Sequence, residues 1–174
     1  MIPKVVQIKF DKIEKDRIAL RQELSAYSNE QLNKNPENGG WSPMQVIQHV
    51  VESERDILKY MQKKLSHNPT LHKTGLKQNF RFLLFQIVFR SPIKVKAPKG
   101  VSEDLAEYSD FEEMMTDWEN NRTELKSWLD NLDDNLWDKK IFRHPAMGRI
   151  AMPHTMGFFD EHLRRHMKQI RRGL

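Results

Sequence analysis

Hydrophobic and polar positions along this chain of 174 residues follow a helical period over four long stretches. In residues 3–26, Val6, Phe10, Ile13, Leu20 and Leu24 recur at spacings of 4, 3, 7 and 4. That is the stripe of a bundle helix, with Arg17 filling the skipped seam position. Asn33, Asn35, Pro36, Asn38, Gly39 and Gly40 then break the pattern. A second helix opens at Ser42, a good N-cap, with Pro43 at its first position. Met44, Ile47, Val50, Val51, Ile57, Leu58, Met61 and Leu65 mark its apolar face, and it ends near Asn68-Pro69. Residues 76–90 form a short helix, although Phe80, Phe82, Phe85, Ile87, Val88 and Phe89 wrap too far round it for periodicity to choose a face. An extended connector is expected over residues 91–101. The third long helix starts at the capping box Ser109-Asp110-Phe111-Glu112, buries Phe111, Met114, Met115, Trp118, Leu125 and Leu129, and closes at residues 131–135. His144-Pro145-Ala146-Met147-Gly148 reads as a turn. The last helix runs over residues 153–172, with Gly173 suited to its C-cap.

Four long amphipathic helices without strand alternation predict an all-α fold, a four-helix bundle in one domain spanning residues 1–174. About 40 residues join the second helix to the third, which calls for a long crossover connection carrying the extra short helix.

Composition narrows the chemistry. There is no cysteine, so disulfides, thiolate metal sites and cysteine nucleophiles are excluded. Lys4 and Lys9 interrupt the early apolar stretch, so no signal peptide is visible, and residues 80–89 fall short of the roughly 20 that a spanning helix needs. The expectation is a soluble, cytoplasmic protein with no stable membrane insertion. The net charge of +5 resolves into blocks. Residues 1–56 hold 8 bases and 9 acids, residues 57–102 hold 10 bases and no acid, residues 103–138 hold 2 bases and 13 acids, and residues 139–174 hold 9 bases and 2 acids. Blocks of −1, +10, −11 and +7 predict oppositely charged segments lying side by side rather than a nucleic-acid face.

Two of the seven histidines stand at metal-ligand spacing in His162-Leu163-Arg164-Arg165-His166. Residues four apart stack on one helix face, so both rings can meet one ion at about 2.0–2.1 Å. A wheel at about 100° per residue puts both on the inward side with Gln169, away from the charged face. Inward histidines need a hydrogen-bond partner or an ion. Leu163 occupies the place of the general-base glutamate of H-E-x-x-H, so metallopeptidase chemistry is disfavoured. His49 is the histidine on another long helix, but it lies roughly 60° outside the apolar arc, where a half-exposed side chain is the ordinary expectation. Glu54 falls at the centre of that arc and needs a cation, a proton or a metal. Arg17 is its expected salt-bridge partner, with a proton-transfer role as the alternative. His67, His72 and His144 read as solvated, and His154 as a residue that can line the cavity.

These residues carry a resemblance. Trp41-Ser42 followed by His49, Gly148 before the final helix, and the closing H-x-x-x-H-x-x-Q-I of His162, His166, Gln169 and Ile170 resemble the DinB superfamily. Its members are four-helix-bundle metalloenzymes that include thiol-dependent S-transferases. The resemblance spans residues 5–172. It implies that His49, His162 and His166 bind one divalent ion, nickel or zinc, with open positions for water or a thiol. It implies an S-transferase or hydrolase acting on a small-molecule substrate, with a low-molecular-weight thiol as cosubstrate, and leaves Glu54 as the candidate catalytic residue.

Two other classes stay open. The bundle can be a metal-bearing stress or binding protein without turnover. The Lys- and Phe-rich segment 76–99 can lie on an anionic membrane or pair with a second subunit, which makes a homodimer expected.

Overall fold

A computed structural model describes residues 1–37, 39–91 and 105–174. Six helices and one hairpin follow in chain order: α1 (Lys4–Leu24), α2 (Asn29–Asn33), α3 (Pro43–Ser66), α4 (Leu76–Arg90), α5 (Phe111–Asp130), β1 (Phe142–His144), β2 (Gly148–Ile150) and α6 (Met152–Gly173). The four long helices α1, α3, α5 and α6 form the bundle. The connector expected over residues 91–101 lies outside the described residues, apart from Ser91.

α6 is the axis of the molecule. It packs against α1 on one side and α3 on another, while α3 also lies against α5. Its buried residues run from Met152 through Phe159 and Leu163 to Ile170, which is why its sequence is the most strongly two-faced in the chain. α3 begins where expected. Ser42 Oγ accepts the Gln45 N–H at 3.2 Å and Gln45 Oε1 accepts the Ser42 N–H at 3.0 Å, with Pro43 at the first helical position.

Two local expectations are corrected and a third is extended. The N-cap of α5 is Asp110 rather than Ser109, its carboxylate accepting the Glu113 N–H at 3.0 Å, and the Ser109 N–H donates to Asn33 Oδ1 at 2.9 Å. Gly173 continues α6 instead of capping it. Residues 144–148 make the expected turn, and the flanking strands make it the tip of an antiparallel hairpin that pairs Phe142 with Ile150 and His144 with Gly148. Its strands have three residues each, too short for alternation to register. Gly148 sits at φ +73°, a backbone region that side chains avoid, so glycine permits the tight return.

The charge blocks pair differently from the simplest expectation. Acidic α5 is met by Arg21 of α1, which reaches Glu112 and Glu119, and by Arg55 of α3, which reaches Asp117. Among the described residues of the +10 block, Lys73 alone pairs with the acidic segment, at Asp138. α4 therefore stays without an acidic partner from α5.

Candidate metal centre

α3 and α6 bring three histidines to one point. His49 stands two turns into α3, and His162 and His166 occupy successive turns of α6. His162 Nε2 lies 3.2 Å from His49 Nε2 and 3.1 Å from His166 Nε2. All three ligand atoms fall within 4.8 Å of one another, and all three residues are buried. His49 is not half-exposed. α3 has α5 on one side and α6 on another, so its buried arc is wider than its apolar stripe, and His49 occupies the added sector.

The donor set fits a metal ion. One ion taking imidazoles at about 2.0–2.1 Å sets their nitrogens roughly 2.9–3.4 Å apart, from octahedral to tetrahedral geometry. Two measured separations fall within that interval. Gln169 Oε1 lies 3.0 Å from His166 Nδ1 and accepts its proton, which leaves the Nε2 lone pair facing the cluster. Burial holds His162 far below the ordinary histidine range and His166 down to about 3, with neighbouring histidines adding to both shifts. Neutral rings are the metal-binding form.

Aromatic side chains wall the cluster. The Phe158 ring stacks on His162 at 5.0 Å, Trp41 lies 5.1 Å from the His49 ring, and Phe89 of α4 lies 6.4 Å from the His162 ring. Phe158 precedes His162 by four residues, and that spacing is the signal by which the sequence reading could have found it. α4 is tied down beside the cluster by Glu161, a buried carboxylate bound by Arg90 and by Gln86 at 3.1 Å, and also by Arg164 of its own helix. These partners hold the Glu161 carboxyl below its usual range against the opposing effect of burial. Gly157 makes the seating of α4 possible, since a side chain there would run into Phe82 and Lys9 Nζ.

The other candidates sit elsewhere. Glu54 lies about 140° round α3 from His49. Its carboxylate accepts from Arg122 Nη1 of α5 at 3.3 Å. Arg17 is not its partner: Arg17 binds Glu14 at 3.0 Å, and Glu14 also accepts from Arg122 Nε at 2.5 Å. Burial pushes the Glu54 carboxyl up while Arg122 opposes the shift. His144 is buried, not solvated. Its Nδ1 accepts the Ala146 and Met147 N–H groups, its ring packs on Phe85 and Phe158, and burial lowers its pKa to about 4. His154 is buried against α4, with Nε2 2.9 Å from Asn79 Oδ1 and its ring edge-on to Phe82, and it does not join the triad. His67 and His72 are exposed as expected.

A family model for the DinB superfamily matches residues 12–170. The chain belongs to the DinB superfamily. It is similar in fold to the solved structure of YfiT from Bacillus subtilis, described as a probable metal-dependent hydrolase with an unusual four-helix bundle topology. That likeness has a TM-score of 0.60 and 17% identity, and covers 99% of this chain and 88% of that one. None of the curated proteins compared with the chain matches it. As a DinB protein, the chain has a four-helix-bundle architecture, and its described helices include none long and apolar enough to cross a membrane.

Proposed function

We propose that this DinB protein is a cytoplasmic, divalent-metal-dependent enzyme in which His49, His162 and His166 hold one zinc or nickel ion. The convergence of three buried imidazole nitrogens carries the reading. Such an ion supplies Lewis acidity, bringing water or a thiol to its nucleophilic form near neutral pH. The chain's own residues do the rest. Gln169 fixes the tautomer of His166. Phe89, Phe158 and Trp41 keep bulk water from the cluster and offer an apolar wall to a small-molecule substrate. Three neutral ligands leave the positive charge of the ion uncompensated, which favours an anionic nucleophile. Hydrolysis with water and transfer to a low-molecular-weight thiol both fit. In the second case the sulfur comes from the cosubstrate, because the chain has none of its own to offer as thiolate. Glu54 ties α3 to α5 through Arg122, on the side of α3 away from the histidine cluster.

Elemental analysis of untagged protein tests the site. Close to one divalent ion per chain is expected, and His162→Ala should lose it. Wild type without bound metal at ordinary supply would overturn the site. A paired screen of activated esters, and of electrophiles with a small thiol, tests the chemistry. Turnover equal in wild type and His166→Ala would refute metal-dependent catalysis, and loaded protein inert in both arms would leave a metal-binding bundle without turnover.

A further inference from the structure

α4 is apolar on two sides, and the bundle uses one of them. At about 100° per residue from Leu76, the positions 78, 82, 85, 86 and 89 that face the bundle lie between roughly 180° and 280°. On the same scale Leu76, Phe80, Leu83, Leu84, Ile87 and Val88 span roughly −20° to 120°. These six are 44–87% exposed. A helix apolar all round requires cover on both faces, and a contiguous exposed stripe of this size marks an interaction surface.

Charge decides what covers it. Lys77 and Arg81, both exposed, border the stripe on one flank, and α4 contains no acid. Arg90, on the other flank, is already bound to Glu161. Arg81 reaches the hairpin, with Nη1 3.5 Å from the Met147 carbonyl oxygen. On that hairpin Arg143 and Arg149 are exposed and directly opposed across the strands. Among the described residues, Lys77, Arg81, Arg143 and Arg149 form no ion pair. The α5 carboxylates that form ion pairs with other helices, Glu112, Glu119 and Asp117, do so with Arg21 and Arg55.

Pairing with the α4 of a second copy does not suit this surface. An antiparallel two-fold pairing of α4 sets the Lys77 and Arg81 flank against itself, and a parallel pairing sets it against the Arg90 flank. Neither brings in a carboxylate from α4. A surface that is apolar within and anionic at its boundary satisfies both features at once. We infer that the exposed face of α4 is a peripheral docking surface for anionic lipid bilayers, its six apolar side chains entering the headgroup boundary while Lys77 and Arg81 meet lipid phosphates. The inference does not depend on the metal centre.

Co-sedimentation of the full-length, untagged protein with phosphatidylcholine vesicles, with and without phosphatidylglycerol, tests it. Binding should be strong with the anionic lipid, weak without it, and reduced by salt. Lys77→Gln with Arg81→Gln should weaken it about 30-fold, from roughly one factor of five per cation near the surface. Leu83→Ser with Ile87→Ser should weaken it at least as much. Both pairs are exposed, so unchanged melting curves confirm that the fold is kept. Equal binding to neutral and anionic vesicles, or none to either, overturns the inference. So does light scattering that shows a dimer dissociated by Leu83→Ser with Ile87→Ser while vesicles are ignored, which would give the stripe to a second copy.

Discussion

Two buried polar clusters flank α3, and they solve the problem of burial in opposite ways. On the α5 side, Glu54 and Glu14 share Arg122, and Arg17 adds a second cation on Glu14. Two anions and two cations balance in charge there, although Glu54 Oε1 and Arg122 Nη2 are buried without a hydrogen-bond partner among the described residues. On the α6 side, three histidines converge with neutral rings, and their near neighbours are aromatic. Arg165, whose charge helps keep His162 and His166 neutral, lies over the Phe89 ring. A self-compensated cluster holds helices together, whereas an uncompensated cluster of donors is built for something to bind. The distinction lies in what each group faces, and burial alone would not reveal it.

The contrast is broken most forcefully from the charged side. Arg122→Ala leaves Glu54 and Glu14 without their shared guanidinium and should destabilise the fold by about 3–5 kcal/mol. For a domain of this size that is a fall in Tm of roughly 10 °C, read by calorimetry. Replacing Glu54 and Arg122 together with Leu and Met should cost much less, since no charge is stranded. In both variants the folded protein should keep its metal. A metal content that falls in step with Arg122→Ala, at temperatures where the chain is folded, would show that the two clusters are not separable.

Acid acts on every buried histidine, and a substitution at His144 isolates one contribution without altering the triad. His144 has its folded pKa lowered to about 4 against about 6.5 in the unfolded chain. Between these values the unfolded state binds more protons, so stability is intact above pH 6.5 and is lost as pH falls toward 4. The loss should be about 2–3 kcal/mol. His144→Asn cannot ionise and keeps an acceptor for the hairpin amides. The difference between its stability–pH curve and that of wild type should contain that loss, and parallel curves would show that His144 does not titrate with unfolding.

The smallest expected effect sharpens the comparison at the triad. Gln169→Leu removes the acceptor of the His166 Nδ1 proton and should weaken metal binding 10- to 100-fold, with the metal-free stability nearly unchanged. Competition against a chelator measures the first and melting the second. A loss confined to stability would make Gln169 a packing residue.

The bundle was legible because helix periodicity, the Ser42-Pro43 start and the breaks report local free energies that the sequence carries openly. His162 and His166 were legible for the same reason, since one helix fixes their relation. His49 needed the family pattern, because a wheel shows one helix and not how many neighbours surround it. Glu54 was rightly read as buried, but its partner was taken from α1 when it stands on α5. The wheel gives a direction, and only the tertiary arrangement says which helix waits there. His144 was misread because a three-residue strand has no period to display, and its burial follows from a hairpin that the pattern could not announce.

Glu161 and His162 are consecutive. One is the post to which α4 is moored through Gln86 and Arg90, and the other belongs to the triad. A single peptide bond joins the mooring of α4 to the histidine cluster. A change that rotates α6 enough to release α4 also turns His162 away from His49.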